Sequence, residues 1–348
     1  MILKTLWYNL FKFLIKCSLF FYTRRIIVKG KENIPKKGAV LFVVNHPNGL
    51  IDPLIVAVNN PRAQHFLVRA ASFKKPLIKR FLGSLNLMPI YRMRDGVKQL
   101  GNNKDVFEKC FTLLNNQNAL MIFPEGSHDK RRTIRNLSKG FSRIVFGALE
   151  QNPALQIHII PVGLTYQNPS VYPSNVCLHY GTPILANDFY KPLIINSEIK
   201  RLKDVITSQL KTLCVHIPLD ENYEKILKKL TAANVDFTEV ERANLMITST
   251  IISGREKKVN LVSFIKPFIL LNSIVPWFIW KHTESKINEF EFIDTFRYGI
   301  NTITVSVNFM IQTYLVSYFY SWLSGIIYLA SSLLLILLYS KFHPNSAK

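Results

Sequence analysis

The run Asn45-His46-Pro47-Asn48-Gly49-Leu50-Ile51-Asp52-Pro53 brings together the residue types needed for proton transfer. Imidazole is the side chain best poised to take a proton near neutrality. A carboxylate a few residues on can hold the ring through its other nitrogen and stabilise the imidazolium that forms. No serine sits in a G-x-S-x-G elbow, so His46 has no protein nucleophile of that kind to activate. The chemistry this suggests is deprotonation of a substrate hydroxyl. Asp52-Pro53 also reads as a helix start, with Asp as N-cap and Pro at N1. Both roles are compatible if only one carboxylate oxygen caps.

A second group is Phe123-Pro124-Glu125-Gly126-Ser127. Glycine lets backbone N–H groups approach an anion, and Ser127 adds a hydroxyl. Lys130, Arg131, Arg132, Arg135, Lys139 and Arg143 follow closely. A third is Pro89-Ile90-Tyr91-Arg92, where a guanidinium suited to bidentate phosphate capture follows an apolar stretch. A metallohydrolase built from His46, Asp52, Glu125, His128 and Asp129 is disfavoured, because no H-E-x-x-H or similar paired spacing occurs. No metal is expected.

These groups need strands to deliver them. Short β-rich runs occur at Arg25–Val28, Ala39–Val44, His65–Val68, Ala119–Phe123, Ile157–Thr165 and Val176–Tyr180. Helical periodicity lies between several of them. Val106, Phe107, Cys110, Phe111, Leu113 and Leu114 form one apolar face, and Ile199, Leu202, Val205, Ile206, Leu210 and Leu213 form another. Alternation of this kind predicts an α/β domain with a mixed, largely parallel sheet flanked by helices, over 25–216. Sites in such domains form at strand ends, where His46 and Glu125 both fall.

The flanks differ in character. Residues 1–24 are apolar but for Lys4, Lys12 and Lys16, which fall within about 120° of one another on a helix. This predicts an N-terminal interfacial helix with its lysines at the headgroups. A charged helical segment covers 217–260 and an interfacial apolar segment, broken by Pro267 and Pro276, covers 261–296. Within 297–348, Tyr298–Ser340 is an uncharged run of 43 residues, against about 20 for one bilayer crossing. Two transmembrane helices with a turn near 318–324 are expected. Arg297, Lys341 and Lys348 then place both ends in the cytoplasm.

Composition narrows the class. Of 348 residues 48% are hydrophobic, and 44 Lys+Arg oppose 22 Asp+Glu, giving +22. Mean hydropathy is +0.13. Such a chain fills a core, so low-complexity disorder is excluded. Apolar and basic residues must be segregated, which fits an anionic surface, either nucleic acid or the cytoplasmic leaflet. The uncharged run and the lack of a nucleic-acid motif favour the membrane, with no nucleic-acid partner. Four scattered cysteines predict reduced, buried thiols.

The order NHPNGLIDP, PIYR, FPEGS, IIPVGLTY resembles the four blocks of the glycerophospholipid acyltransferase family, over about residues 25–185. The resemblance implies that His46 is the catalytic base and Asp52 its orienting carboxylate. It implies an acceptor-binding set of Asn48, Arg92, Glu125, Gly126, Ser127 and Lys139, and a structural Pro161. The acceptor would be glycerol-3-phosphate, 1-acylglycerol-3-phosphate (lysophosphatidic acid) or another lysolipid. Acyl-CoA or acyl-carrier protein would be the donor, with no cofactor, at the cytoplasmic face of the cell's inner membrane. The usual first block has four residues between His and Asp, whereas this one has five. The longer form is similar to a bacterial and fungal branch with C-terminal membrane segments. A basic membrane scaffold without catalysis is the competing reading, and it gives no reason for an intact His46, Arg92 and Glu125 set.

Overall fold

The apolar runs become strands because they are Val- and Ile-rich and bounded by turn residues, and the sheet they build is nearly all parallel. The computed structural model describes residues 2–91, 101, 103–249, 254–256, 260–287 and 292–347. The described strands are β1 (Arg25–Lys29), β2 (Ala39–Val44), β3 (Gln64–Arg69), β4 (Leu87–Ile90), β5 (Ala119–Ile122), β6 (Ile157–Tyr166), β7 (Asn175–Tyr180) and the two-residue β8 (Ile184–Leu185). Their order is β1-β7-β6-β2-β5-β3-β4, with β8 also on β6. Only the β6–β7 and β6–β8 pairings are antiparallel among the described residues. β2 is central and every residue of it is buried, as expected of a parallel strand covered on both faces.

One face of the sheet is covered by α4 (Asn103–Asn115), α5 (Gly140–Gln151) and α6 (Ile195–Leu213). The predicted apolar stripes supply this layer, Leu202, Ile206 and Leu210 of α6 sharing one buried cluster with Ile144 and Ile157. The other face is covered by α1 (Ile2–Tyr22) and α2 (Ile51–Asn59). Between β3 and β4 lies α3 (Pro76–Ser84), and α7 (Tyr223–Ala232) and α8 (Val240–Thr248) form a small core of their own around Phe237. The four cysteines are free thiols, three of them buried and Cys17 half-buried.

α1 is the expected N-terminal helix, with one correction. Tyr8 and Leu19 are buried, while Leu3, Leu6, Phe13 and Phe20 are exposed, so an apolar face remains open. Lys4 and Lys16 are exposed, but Lys12 turns inward and donates to the Asn60 carbonyl at 2.5 Å. Helix geometry alone groups the three lysines; packing against α2 separates them.

The C-terminal part is α9 (Ile265–Asn272), α10 (Ile274–Glu284), α11 (Ile293–Phe319) and α12 (Trp322–Phe342). The expected hairpin is present. It turns at Tyr320 and Ser321, where the Ser321 hydroxyl accepts from the Ser324 N–H at 3.2 Å. Among the described residues, only α12 is long and apolar enough to cross a membrane by itself. α11 starts within the segment expected to be interfacial, and it carries Asn308 and Gln312. These face inward: both amides donate to the Asn272 carbonyl, at 3.1 and 3.2 Å, and Tyr328 of α12 donates to Gln312 Oε1 at 2.7 Å. Both ends of the hairpin reach the α/β domain. Arg297 donates to the Ser170 carbonyl at 3.0 Å, and the Lys341 ammonium to the carbonyls of Phe20 and Thr23 at 2.6 and 2.8 Å.

Candidate active site

β2 and β5 are parallel neighbours, with Val43 level with Ile122. The chain leaving each strand therefore emerges on the same edge, bringing His46 beside the Phe123–Ser127 turn. The His46 and Phe123 rings stack with centroids 4.0 Å apart. β6 flanks β2 on the other side, Val44 level with Val162, so Tyr166 emerges there too.

The five residues between His46 and Asp52 do not keep the two apart. His46 Nδ1 lies 2.8 Å from Asp52 Oδ2. The same oxygen accepts the Asn48 backbone N–H at 2.6 Å, and Oδ1 accepts the Tyr166 hydroxyl at 2.6 Å. α2 begins at Ile51, which puts Asp52 inside its first turn and not at its N-cap. The helix-start role falls to Asn48, whose Oδ1 accepts the Ile51 N–H at 3.3 Å. The longer loop thus uses one side chain to begin the helix and leaves both oxygens of Asp52 for the site. Asp52 is fully buried. Burial pushes its carboxyl well above the usual carboxylate range, opposed by the bonds from Tyr166 and Asn48.

Asn48 is also fully buried. Its side chain faces away from the groove and donates to Asp294 Oδ2 at 2.7 Å. A direct acceptor contact, expected of Asn48, is therefore replaced by an internal one.

Gly126 adopts φ +72°, a left-handed conformation that costs an L side chain roughly 1–2 kcal/mol. The turn this makes points the Glu125 carboxylate inward, where Arg135 donates to Oε2 through Nε at 3.0 Å and through a terminal nitrogen at 2.6 Å. Arg135 also donates to the Ser127 hydroxyl at 2.6 Å. Burial raises the Glu125 carboxyl above its ordinary value, and Arg135 opposes this. Glu125 and Ser127 thus hold Arg135, and both also line the groove described below. Lys139 stands exposed at the start of α5, on the same rim as Arg143. Arg92 lies outside the described residues.

A groove of about 2250 Å³ is lined by the polar His46, Glu125, Arg135, Lys139 and Arg143 and by the apolar Leu54, Ala57 and Val58 of α2, Ile15 of α1 and Phe81 and Leu82 of α3. Phe11 and Phe81 meet edge to face at 5.5 Å, joining α1 to α3.

Sequence reasoning missed Tyr166 and gave Arg135 no role beyond a basic run. Tyr166 closes the IIPVGLTY block, so a strand-end signal was present; nothing local tied it to Asp52. Among the described residues, no cluster of His, Cys, Asp and Glu could hold a metal ion.

Residues 25–165 match the family described as Acyltransferase. The match covers 141 of the 348 residues. It contains His46, Asp52, Glu125, Arg135 and Lys139, and ends one residue before Tyr166. The chain is 25% identical over 139 residues to "Glycerol-3-phosphate O-acyltransferase 1" of Saccharomyces cerevisiae, covering 38% of this chain and 18% of that protein. It is 25% identical over 170 residues to "1-acyl-sn-glycerol-3-phosphate acyltransferase" of Borreliella burgdorferi, covering 49% of this chain and 62% of that one. The chain thus spans less than a fifth of the yeast relative's length. A solved structure of the 1-acyl-sn-glycerophosphate acyltransferase PlsC from Thermotoga maritima superposes with a TM-score of 0.39 at 18% identity, over 54% of this chain and 72% of that one. The C-terminal helices lie outside the matched segment.

Proposed function

We propose that this protein transfers a fatty acyl group from acyl-CoA or acyl-carrier protein to a hydroxyl of a glycerol-phosphate acceptor, glycerol-3-phosphate or its 1-acyl derivative, at the cytoplasmic face of the cell membrane. The observation that carries this reading is the His46–Asp52 pair, 2.8 Å apart, with His46 lining a groove that also has basic and apolar side chains in its walls.

In the reaction, His46 Nε2 takes the acceptor's hydroxyl proton as that oxygen attacks the thioester carbonyl. Asp52, bonded to Nδ1, stabilises the imidazolium. The tetrahedral intermediate then collapses, the carbon–sulfur bond breaks, and the imidazolium returns its proton to the departing thiolate. No oxidant or metal is needed for the balance. Arg135, Lys139 and Arg143 offer cationic partners for the acceptor's phosphate, joined by Arg92 as the family resemblance implies. Gly126 and Asn48 contribute through backbone shape and internal bonding. The apolar side chains of the groove take the acyl chain.

The surroundings suit a substrate that stays in a bilayer. Leu3, Leu6 and Phe13 of α1 and Leu77 and Phe81 of α3 are exposed. α12 has 21 residues, about 31 Å at 1.5 Å per residue, the thickness of a hydrocarbon core. α11 accompanies it as the second crossing, its amides satisfied by Asn272 of α9 and Tyr328 of α12 as an apolar medium requires. The experiment is a transfer assay of the purified full chain with each acceptor and each donor. Activity insensitive to chelators on a glycerol-phosphate acceptor supports the reading. Activity confined to lysolipids without a phosphate monoester would move the assignment to another acceptor class.

A further inference from the structure

The C-terminal hairpin reaches the site through the first turn of α11, where one carboxylate is buried. Asp294 sits in the first turn of α11 and is 4% exposed. Its Oδ2 accepts from the Asn48 side chain at 2.7 Å, and its Oδ1 accepts from the Tyr22 hydroxyl of α1 at 2.6 Å and from Arg297. Arg297 in turn donates to Tyr22 Oη at 3.1 Å. One residue on, the Thr295 hydroxyl accepts the Leu50 N–H at 3.2 Å. Two bonds therefore join the start of the hairpin to the loop between His46 and Asp52.

Asn48 is the link. Its backbone N–H goes to Asp52 and its side-chain oxygen to the Ile51 N–H, while its side-chain nitrogen goes to Asp294. A buried side chain with both ends bonded has one usable rotamer, so it fixes the peptide that points at Asp52. Without Asp294, the Asn48 nitrogen loses its acceptor and the side chain can turn to find another. The Ile51 bond and the Asn48–Asp52 bond then loosen together, and His46 loses its set orientation.

We propose that Asp294 is a positioning residue for acyl transfer, acting through Asn48 on the His46–Asp52 pair, and that the site is completed by the hairpin outside the matched domain. This rests on the acyl-transfer reading. Misplacing a reacting group by about 1 Å costs on the order of 10²-fold. Asp294→Ala should therefore lower kcat by about 10–100-fold, with KM for the acceptor changed less than about threefold, because the phosphate partners are not on this loop.

The test uses the full chain in detergent, assayed for acyl transfer to glycerol-3-phosphate and 1-acylglycerol-3-phosphate. Asp294→Asn keeps an oxygen for Asn48 and should restore part of the lost kcat. The double variant Asn48→Ala with Asp294→Ala should be no slower than Asn48→Ala alone, since both act through one contact. Tyr328→Phe, which alters the hairpin far from the site, should keep wild-type kcat. Thr295→Ala removes only the Leu50 contact and gives a milder kcat loss if Asp294→Ala fails to fold. Wild-type kcat in Asp294→Ala beside an inactive His46→Ala would overturn the inference, as would losses that multiply in the double variant. An active His46→Ala would instead overturn the reading beneath it.

Discussion

Replacing Asp52 with Asn separates charge from shape at the centre of the site. The amide can keep every bond if its oxygen takes the place of Oδ2, accepting from His46 Nδ1 at 2.8 Å and from the Asn48 N–H at 2.6 Å. Its nitrogen then donates to Tyr166, whose hydroxyl reverses from donor to acceptor. What disappears is the negative charge opposite the imidazolium. With charge centres about 4 Å apart and an effective dielectric of about 20, that attraction is ~4 kcal/mol, or ~10³-fold in kcat at ~1.4 kcal/mol per decade. If the amide settles the other way, the His46 tautomer is wrong for proton abstraction and the loss is larger. Thermal stability should hold or rise, because burial already penalises the ionised form of Asp52. The assay is steady-state transfer from labelled acyl-CoA, with a melting curve on the same preparation. An Asp52→Asn enzyme keeping more than about a tenth of kcat would refute the orienting role and leave Asp52 a structural residue of α2.

Arg135→Ala should destabilise the fold by about 3 kcal/mol, because it leaves the Glu125 carboxylate buried and unpaired, and should raise KM for a phosphate-bearing acceptor; Arg135→Lys should recover the charge but not the fork to Glu125 and Ser127, which a denaturant titration beside kinetics would reveal. His216 accepts the Ile134 N–H through Nδ1 at 3.0 Å, and burial lowers its pKa to about 4. The unfolded chain, with an ordinary pKa near ~6.5, then binds a proton that the folded chain refuses, so stability should fall as pH drops from about 6.5 towards 4. His216→Asn should flatten that part of the Tm–pH curve, and an unchanged slope would contradict this account. Full-length protein should stay with membranes in ~1 M salt and need detergent for release, since surface attraction alone is screened within about 3 Å there. A chain ending at residue 292 should wash off and, lacking Asp294, should also lose kcat.

What was readable in the sequence follows from the range of the interactions. The six expected strands are local signals, and each is a strand in the fold. β4 was missed because Leu87–Ile90 contains Pro89; proline is tolerated there since β4 pairs only with β3, at the sheet edge. His46 and Glu125 were legible because strand ends are where such residues are delivered. The rest depends on contacts across long separations. Tyr166 meets Asp52 across 114 residues, and Asp294 meets Asn48 across 246. The four motif blocks all lie before residue 170, yet the first turn of α11 lies against the His46 loop, through Asp294 on Asn48 and Thr295 on Leu50. The pairing of Glu125 with Arg135, ten residues on, was likewise not legible, because nothing in the basic run singles out one arginine.

In the proposed mechanism His46 removes the proton from the acceptor hydroxyl. The most direct measurement of this step is the single-turnover rate of acyl transfer to glycerol-3-phosphate and to 1-acylglycerol-3-phosphate by wild-type protein and by His46→Ala, both purified as the full chain and matched by melting temperature. Transfer to at least one acceptor by the wild type is expected, with a loss of ~10²–10⁴-fold in the variant, the usual worth of a general base. Transfer by His46→Ala within about tenfold of wild type, or none to either acceptor by a well-folded wild type with both donors, would contradict that mechanism.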